Sequence, residues 1–241
     1  MGVYVGIALI SMAGGWVQAV TGFGGGIVIM VVLPSLLTMG LAPAVSGTIC
    51  TPLSWMIAWR YHRFIKPKQI IFPVICYIAA SCTAIELSTR IDMERLKPVF
   101  GLFLVVLAIY FMVFSDRMKV KGTWLSALVC SAISGFLGGL FGIGGPLLVL
   151  YFLAVSKTKE EYLGNINGVF AITTLQQLIT RISVGILTWE AIPAILVGIV
   201  FVLIGRFWGS RVVDKLDVAR MKRGIYIFLI IAGVLTVAGS L

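Results

Sequence analysis

Apolar residues run along this chain in long unbroken stretches, and the breaks between them are short and charged. The first stretch, Val3–Met39, is interrupted by glycines, and plainer stretches follow at about 42–59, 70–87 and 98–115. The order then recurs. A second glycine-broken stretch covers Trp124–Val155, with plain stretches at about 163–181, 191–208 and 224–241. Runs of about 18 apolar residues are near the minimum for crossing the roughly 30 Å of hydrocarbon in a bilayer. Only helices or closed barrels satisfy their backbone in lipid. Barrel strands would alternate in polarity, so the continuous runs predict an all-α integral membrane protein.

The halves also match in detail. Gly15, Gly22, Gly24 and Gly25 recur 120 residues later as Gly135, Gly142, Gly144 and Gly145, and Pro73 recurs as Pro193. Gly47 and Arg60 recur 121 residues on as Gly168 and Arg181, and Arg95 and Lys97 recur 125 residues on as Arg220 and Lys222. One duplicated helical unit accounts for this, with a first membrane repeat over 1–120 and a second over 121–241 in a single membrane domain. Such duplication is typical of transporters.

The glycines set the topology. After them, Pro146–Val155 offers only ten residues before the charged run KTKEE, a rise of about 15 Å, or half a bilayer. Each broken stretch therefore predicts a re-entrant hairpin with its glycines near the midplane. Two tilted full crossings joined by a glycine turn are the alternative, and both return the chain to its starting side. A hairpin plus three crossings inverts the second half relative to the first. With Arg60–Lys68 inside, the segments 116–122, 156–162 and 206–223 are also inside, and 88–97 and 182–190 are outside. The inside segments then hold 15 of the 19 Lys and Arg, and the outside holds Arg90, Arg95, Lys97 and Arg181. That is a strong positive-inside bias. It predicts an inverted-topology tandem repeat in the cell (inner) membrane with both termini outside.

Composition narrows the function classes. The chain is 60% hydrophobic and 12% charged, with a mean hydropathy of +1.08, which excludes a soluble globular domain. The net charge of +10 does not predict nucleic-acid binding, because the basic residues sit in short clusters between apolar runs. No Lys or Arg precedes Arg60, so the basic start of a removable signal peptide is missing. Cys50, Cys76, Cys82 and Cys130 lie in apolar runs without a CxxC pair and read as small buried hydrophobes. The one histidine, His62, lies in a basic loop, and no nucleophile motif or metal-ligand spacing is present. No catalytic residue, metal site or cofactor is expected. Carboxylates are nearly missing from the apolar segments, where Glu86 lies near the outer end of its helix and Glu190 at a helix start. Proton coupling, which needs acids or histidines in the membrane, has little to work with.

Candidate binding residues cluster in the two glycine motifs, GFGGG (Gly22, Phe23, Gly24, Gly25, Gly26) and GIGGP (Gly142, Ile143, Gly144, Gly145, Pro146). Glycine lets backbone approach a ligand closely. Each motif opens an apolar helix, and a helix N-terminus offers free N–H groups and partial positive charge to an anion. Two inverted copies would meet near the midplane, where broken-helix transporters hold substrate. Tight helix packing is the plainer use of the same glycines. The helix after each hairpin is unusually polar. Asn167, Thr174, Gln177 and Arg181 fall within about 80° of arc, and Ser46, Cys50, Ser54 and Arg60 within about 120°. Polar groups at that depth face a cavity or the bundle interior, so Ser46, Asn167, Thr174 and Gln177 are candidate lining residues. Asn165 and Gln176 point the other way, toward neighbouring helices. Arg60 and Arg181 end their helices and are candidate gates that attract an anion at each mouth, with snorkelling to headgroups as the simpler role.

Two GxGG-type motifs in broken apolar segments of a duplicated chain of this length resemble the sulfite exporter (TauE/SafE) family. The likeness spans essentially the whole chain. It implies membrane transport, often export, of small sulfur-containing anions such as sulfite and organosulfonates. Pro146 stands where the family commonly has a third glycine, which implies a stiffer second hairpin with the same anion preference. The expected partners are a small anionic substrate and the lipid bilayer, with a homodimer left open. A carrier for a small oxyanion is the first reading. An anion channel using the same site is the alternative, and an intramembrane enzyme lacks its nucleophile and base.

Overall fold

The computed structural model describes residues 2–96, 98–100, 102–103, 106 and 122–213, and every regular element among them is helical. The expected segment 224–241, most of 98–115 and the loop around Met118 lie outside the described residues. The first half contains α1 (Gly2–Thr21), α2 (Gly25–Leu36), α3 (Ala42–Arg60) and α4 (Pro67–Ser88). The second contains α5 (Trp124–Phe141), α6 (Pro146–Val155), α7 (Lys159–Ser183) and α8 (Ile192–Val213). Short 3-10 turns cover His62–Phe64, Met93–Leu96 and Trp189–Ala191.

Local chemistry sets these limits. Proline stands in the first turn of α3, α4 and α6, where its missing N–H costs nothing. Thr123 and Thr158 cap α5 and α7 by accepting from Ser126 N and Glu161 N. The left-handed glycines Gly24 and Gly142 separate the helices of each broken stretch. Among the described residues, four helical segments are long and apolar enough to span a membrane: α1, α4, α5 and Trp189–Arg211. Helices α2 and α6 have 12 and 10 residues and rise only about 18 and 15 Å. Each folds back along the helix before it. A Cβ on Gly14 would lie 2.9 Å from Gly25 O, and one on Gly6 would lie 3.0 Å from Leu36 Cδ1. In the second half, Leu148 N donates to Ser134 Oγ at 3.0 Å.

The halves interlock by exchange. Helix α1 packs mainly on α8, α4 on α5, and α3 on α7, a pattern that maps onto itself when the halves are swapped. Glycines allow the closest crossings. A Cβ on Gly15 would collide with Val202 backbone, one on Gly205 with Met12 backbone, and one on Gly135 with Tyr77 backbone. Met12 and Trp16 meet Gly205 and Gly209 in order, so α1 and α8 run parallel. By contrast, α3 and α7 run antiparallel. Gly47 lies beside Arg181, Trp55 Nε1 donates to Ala171 O at 2.9 Å, and Gly164 sits against Tyr61.

Burial sorts the helices into two layers. Ile29, Met30, Leu33, Val45, Ile49, Leu53, Leu148, Phe152, Ile166 and Val169 are fully buried, so the core is made by α2, α3, α6 and α7. Leu9 and Trp16 of α1, Ile75 of α4, Leu125 and Val129 of α5, and Leu196 and Val200 of α8 are exposed. Those outer helices present the apolar surface that lipid requires. The described basic segments gather at one end of the bundle. Lys66 pairs with Glu161 at 2.7 Å, Asn165 Oδ1 accepts from Lys66 N, and Arg60, Arg206 and Ser210 line one small pocket.

The crossings should be intolerant of bulk. Gly205→Leu forces α1 away from α8 and should cost at least the ~1–3 kcal/mol typical of overpacking. Gly40→Ala, whose added carbon meets nothing within 4 Å, should melt near wild type in detergent. Equal melting of the two variants would show that α1 and α8 do not cross so closely.

Candidate functional site

Two turns, one from each half, meet in the centre of the bundle. The first runs through Gly22 and Gly24, with φ values of 84° and 88°, and the second through Gly142, with φ 70°. L-side chains rarely adopt such backbone. A Cβ on Gly26 would lie 3.2 Å from Gly142 O, and one on Gly145 would lie 2.8 Å from Phe23 Cδ2.

Each turn is held by a long helix of the other half. Asn167 Nδ2 on α7 donates to Gly22 O at 3.0 Å, and Tyr162 Oη donates to Thr21 O at 3.1 Å. Thr21 Oγ1 donates in turn to Phe23 O at 2.6 Å. The second turn rests on α3, where a Cβ on Gly142 would lie 3.2 Å from Pro43 Cα.

Between the turns lies a cavity of about 60 Å³, lined by Gln18, Phe23, Gly24, Gly26, Ile27, Gly47, Cys50, Ser54, Tyr77, Gly142, Ile143, Gly144, Gly145, Phe170, Thr174 and Gln177. A single water needs about 10–15 Å³ by such a measure, so a small oxyanion is of the right size. The α3 and α7 contributions, Gly47–Ser54 and Phe170–Gln177, come from the middle of those helices. Phe23, Ile27, Ile143 and Phe170 form apolar walls. The polar groups are few, as in most small-ligand sites. Gln18 Nε2 donates to Ser54 Oγ at 3.0 Å, and Gln177 Nε2 donates to Tyr77 Oη at 3.3 Å. Among the described lining residues there is no Asp, Glu or His.

Two helix N-termini open at this cavity. Helix α2 has no side-chain cap, and its first turn has no intrahelical acceptors for its N–H groups. Helix α6 begins with Pro146, which has no N–H, and Ser134 Oγ takes Leu148 N.

The glycine-motif residues Phe23, Gly24, Gly26, Gly142, Ile143, Gly144 and Gly145 line the cavity, together with Thr174 and Gln177. The others stand one layer back. Gly22 offers its carbonyl to Asn167, Gly25 packs on the Gln18 side chain, and Ser46 Oγ donates to Gly26 O at 3.3 Å. Asn167 supports the first turn, and its Oδ1 is buried without a partner. Asn165 and Gln176 bond the preceding loop and α4, as their side of α7 predicts: Asn165 Nδ2 donates to Gln69 Oε1 and Gln176 Oε1 accepts from Ser81 Oγ. Arg60 is exposed at the basic end. Arg181 is buried, and its Nη2 donates to Gly138 O at 3.1 Å and Gly139 O at 2.8 Å.

Sequence reasoning missed Gln18 and Tyr77 at the cavity. Gln18 is a polar residue in an apolar helix four positions before Gly22, a signal that was available. Tyr77 gives no such signal, because tyrosine is common in membrane helices and only the α4–α5 crossing brings it inward.

Three comparisons bear on this geometry. The profile of the family described as sulfite exporter TauE/SafE matches residues 7–236. A probable membrane transporter protein of Methanocaldococcus jannaschii is 28% identical over 67% of this chain and 66% of its own length. The chain thus spans just under two thirds of that relative. No solved structure matches the chain.

The turns should not accept side chains. Gly24→Val forces a β-branched residue into left-handed backbone, a strain of order 1–3 kcal/mol. Gly144→Val drives a side chain into Tyr77 Oη and Ser134 O. Both variants should reach the membrane and lose oxyanion flux in proteoliposomes. Wild-type flux in either would mean that its glycine serves packing alone.

Proposed function

This chain belongs to the sulfite exporter TauE/SafE family, a family of membrane transporters, and on that premise we propose that it exports a small sulfur-containing oxyanion, such as sulfite or an organosulfonate. The observation that carries the reading is the small cavity between two uncharged glycine turns, with helix N-termini beside it and no acidic group among its described lining residues. Backbone N–H groups and the amides of Gln18 and Gln177 would hold the anion. Asn167 and Ser46 position the first turn through Gly22 and Gly26.

The repeats 1–120 and 121–241 are inverted in this proposal, and each glycine turn is the tip of a re-entrant hairpin near the midplane. The antiparallel run of α3 against α7, and the shortness of α2 and α6, support both statements. The basic end of the bundle faces the cytoplasm, with Arg60 at that mouth. Trp59, Trp124 and Trp208 are exposed toward the same end and Trp189 toward the other, the placing expected of interfacial tryptophans. Helix α1 runs parallel to α8, which ends among basic residues, so the chain starts outside.

Energetics favour export. An anion leaving an inside-negative cell moves downhill by about 2.3 kcal/mol per charge per 100 mV. That supports roughly 50-fold accumulation outside for a monovalent anion, since about 1.4 kcal/mol is tenfold. With no carboxylate or imidazole among the described lining residues to take up a proton, the carrier of this proposal moves net charge.

Two measurements check this reading. In intact cells an impermeant thiol reagent should leave a Met118→Cys variant unlabelled, and labelling would reverse the topology. In proteoliposomes, efflux of sulfite should speed up when valinomycin and K⁺ make the interior negative, and a pH gradient alone should change it little. Accumulation driven by a pH gradient at zero potential would make the carrier proton-coupled.

A further inference from the structure

The helix ends at the cavity offer an anion hydrogen-bond donors but little net charge. Each glycine turn joins the C-terminus of one helix to the N-terminus of the next, α1 to α2 and α5 to α6. A helix carries roughly half a positive charge at its N-terminus and roughly half a negative charge at its C-terminus. Two of each meet here, so their contributions cancel to first order.

A formal charge breaks the balance. Arg181 is 3% exposed and lies one layer behind the cavity wall. Its Nη2 bonds the carbonyls of Gly138 and Gly139 at the end of α5, and those carbonyls bring only the partial charge already counted. Its Nη1 approaches Gly47, which lines the cavity. A Cβ there would lie 3.9 Å from Nη1 and would meet nothing else within 4 Å. At Gly47 no side chain stands between the guanidinium and the cavity-lining backbone. The ion pairs of the described carboxylates lie elsewhere: Glu161 with Lys66, Glu86 with Arg90 and Asp92 with Arg95. The repeat is broken at this charge, because Arg60, the counterpart of Arg181, is exposed.

We propose that Arg181 is the specificity-determining charge of the cavity: acting through the thin wall at Gly47, it makes the site select singly charged oxyanions over doubly charged ones of similar size and over net-neutral zwitterions. A monoanion neutralises the single buried charge. A dianion leaves one negative charge in a low-dielectric interior, and a zwitterion leaves the arginine uncompensated, and both are costly. The inference rests on the anion-carrier reading above.

Binding to the purified full-length protein tests it, read by titration calorimetry with methanesulfonate, sulfate, taurine and sulfite at constant pH. Wild type should bind methanesulfonate at least tenfold tighter than sulfate or taurine. Arg181→Gln should weaken methanesulfonate at least tenfold, and Arg181→Lys, which keeps the charge, should recover most of that loss. A wild-type preference below tenfold, or wild-type affinity in Arg181→Gln, overturns the inference while sulfite binding leaves the carrier reading standing. If Arg181→Gln does not fold, the wild-type preference alone decides at the same tenfold line. Failure of wild type to bind any of the four anions overturns the carrier reading and this inference with it.

Discussion

A helix that stops inside a hydrocarbon slab leaves backbone N–H or C=O groups with no water to receive them. This chain stops helices twice in the interior of the bundle, at Gly22–Gly24 and at Gly142–Gly145, and the described architecture provides for those two breaks. Each break is supported from the opposite half. Asn167 and Tyr162 of α7 bind the carbonyls of the first turn, and the second turn rests on Pro43 of α3 and Tyr77 of α4. Each turn is thus buried partly by the half that does not contain it. The exchanged packing of α1 on α8 and α4 on α5 is the scaffold that holds the two turns against each other.

The same constraint explains why the centre is usable as a site. Glycine turns expose backbone that ordinary helices hide, and two of them facing each other leave room bounded by main chain and a few amides. Wherever one helix end offers N–H groups, its neighbour offers carbonyls, so the turns provide hydrogen bonding without a large net field. Selectivity by charge then depends on side chains one layer out. This separates two roles that a single charged lining residue would combine, and it lets the lining stay neutral during passage.

Much of the architecture was legible in sequence because it rests on spacing. The apolar runs placed α3, α4, α7 and α8 within a few residues, and the matched glycines placed both breaks. Pro146 marked the start of α6 because proline is confined to a first turn. What spacing could not reach was depth and direction. Arg60 and Arg181 occupy equivalent positions, yet one is exposed and one buried, because α7 extends to Ser183 and lies beneath the end of α5. Asn167 lies on the polar face of α7 that the periodicity identified, but it reaches the backbone of the first turn and not the cavity. Tyr77 enters the cavity only through the crossing of α4 and α5, a long-range fact that local periodicity does not carry.

The central claim is that the paired glycine turns, rather than the basic end of the bundle, hold the anion. Selenium anomalous diffraction from crystals grown with selenite, a heavier relative of sulfite, tests it most directly. The account predicts one strong selenium peak between Phe23–Gly26 and Gly142–Gly145, within hydrogen-bonding reach of backbone N–H groups. A peak confined to the Arg60 and Arg206 pocket, with none between the turns, would contradict it.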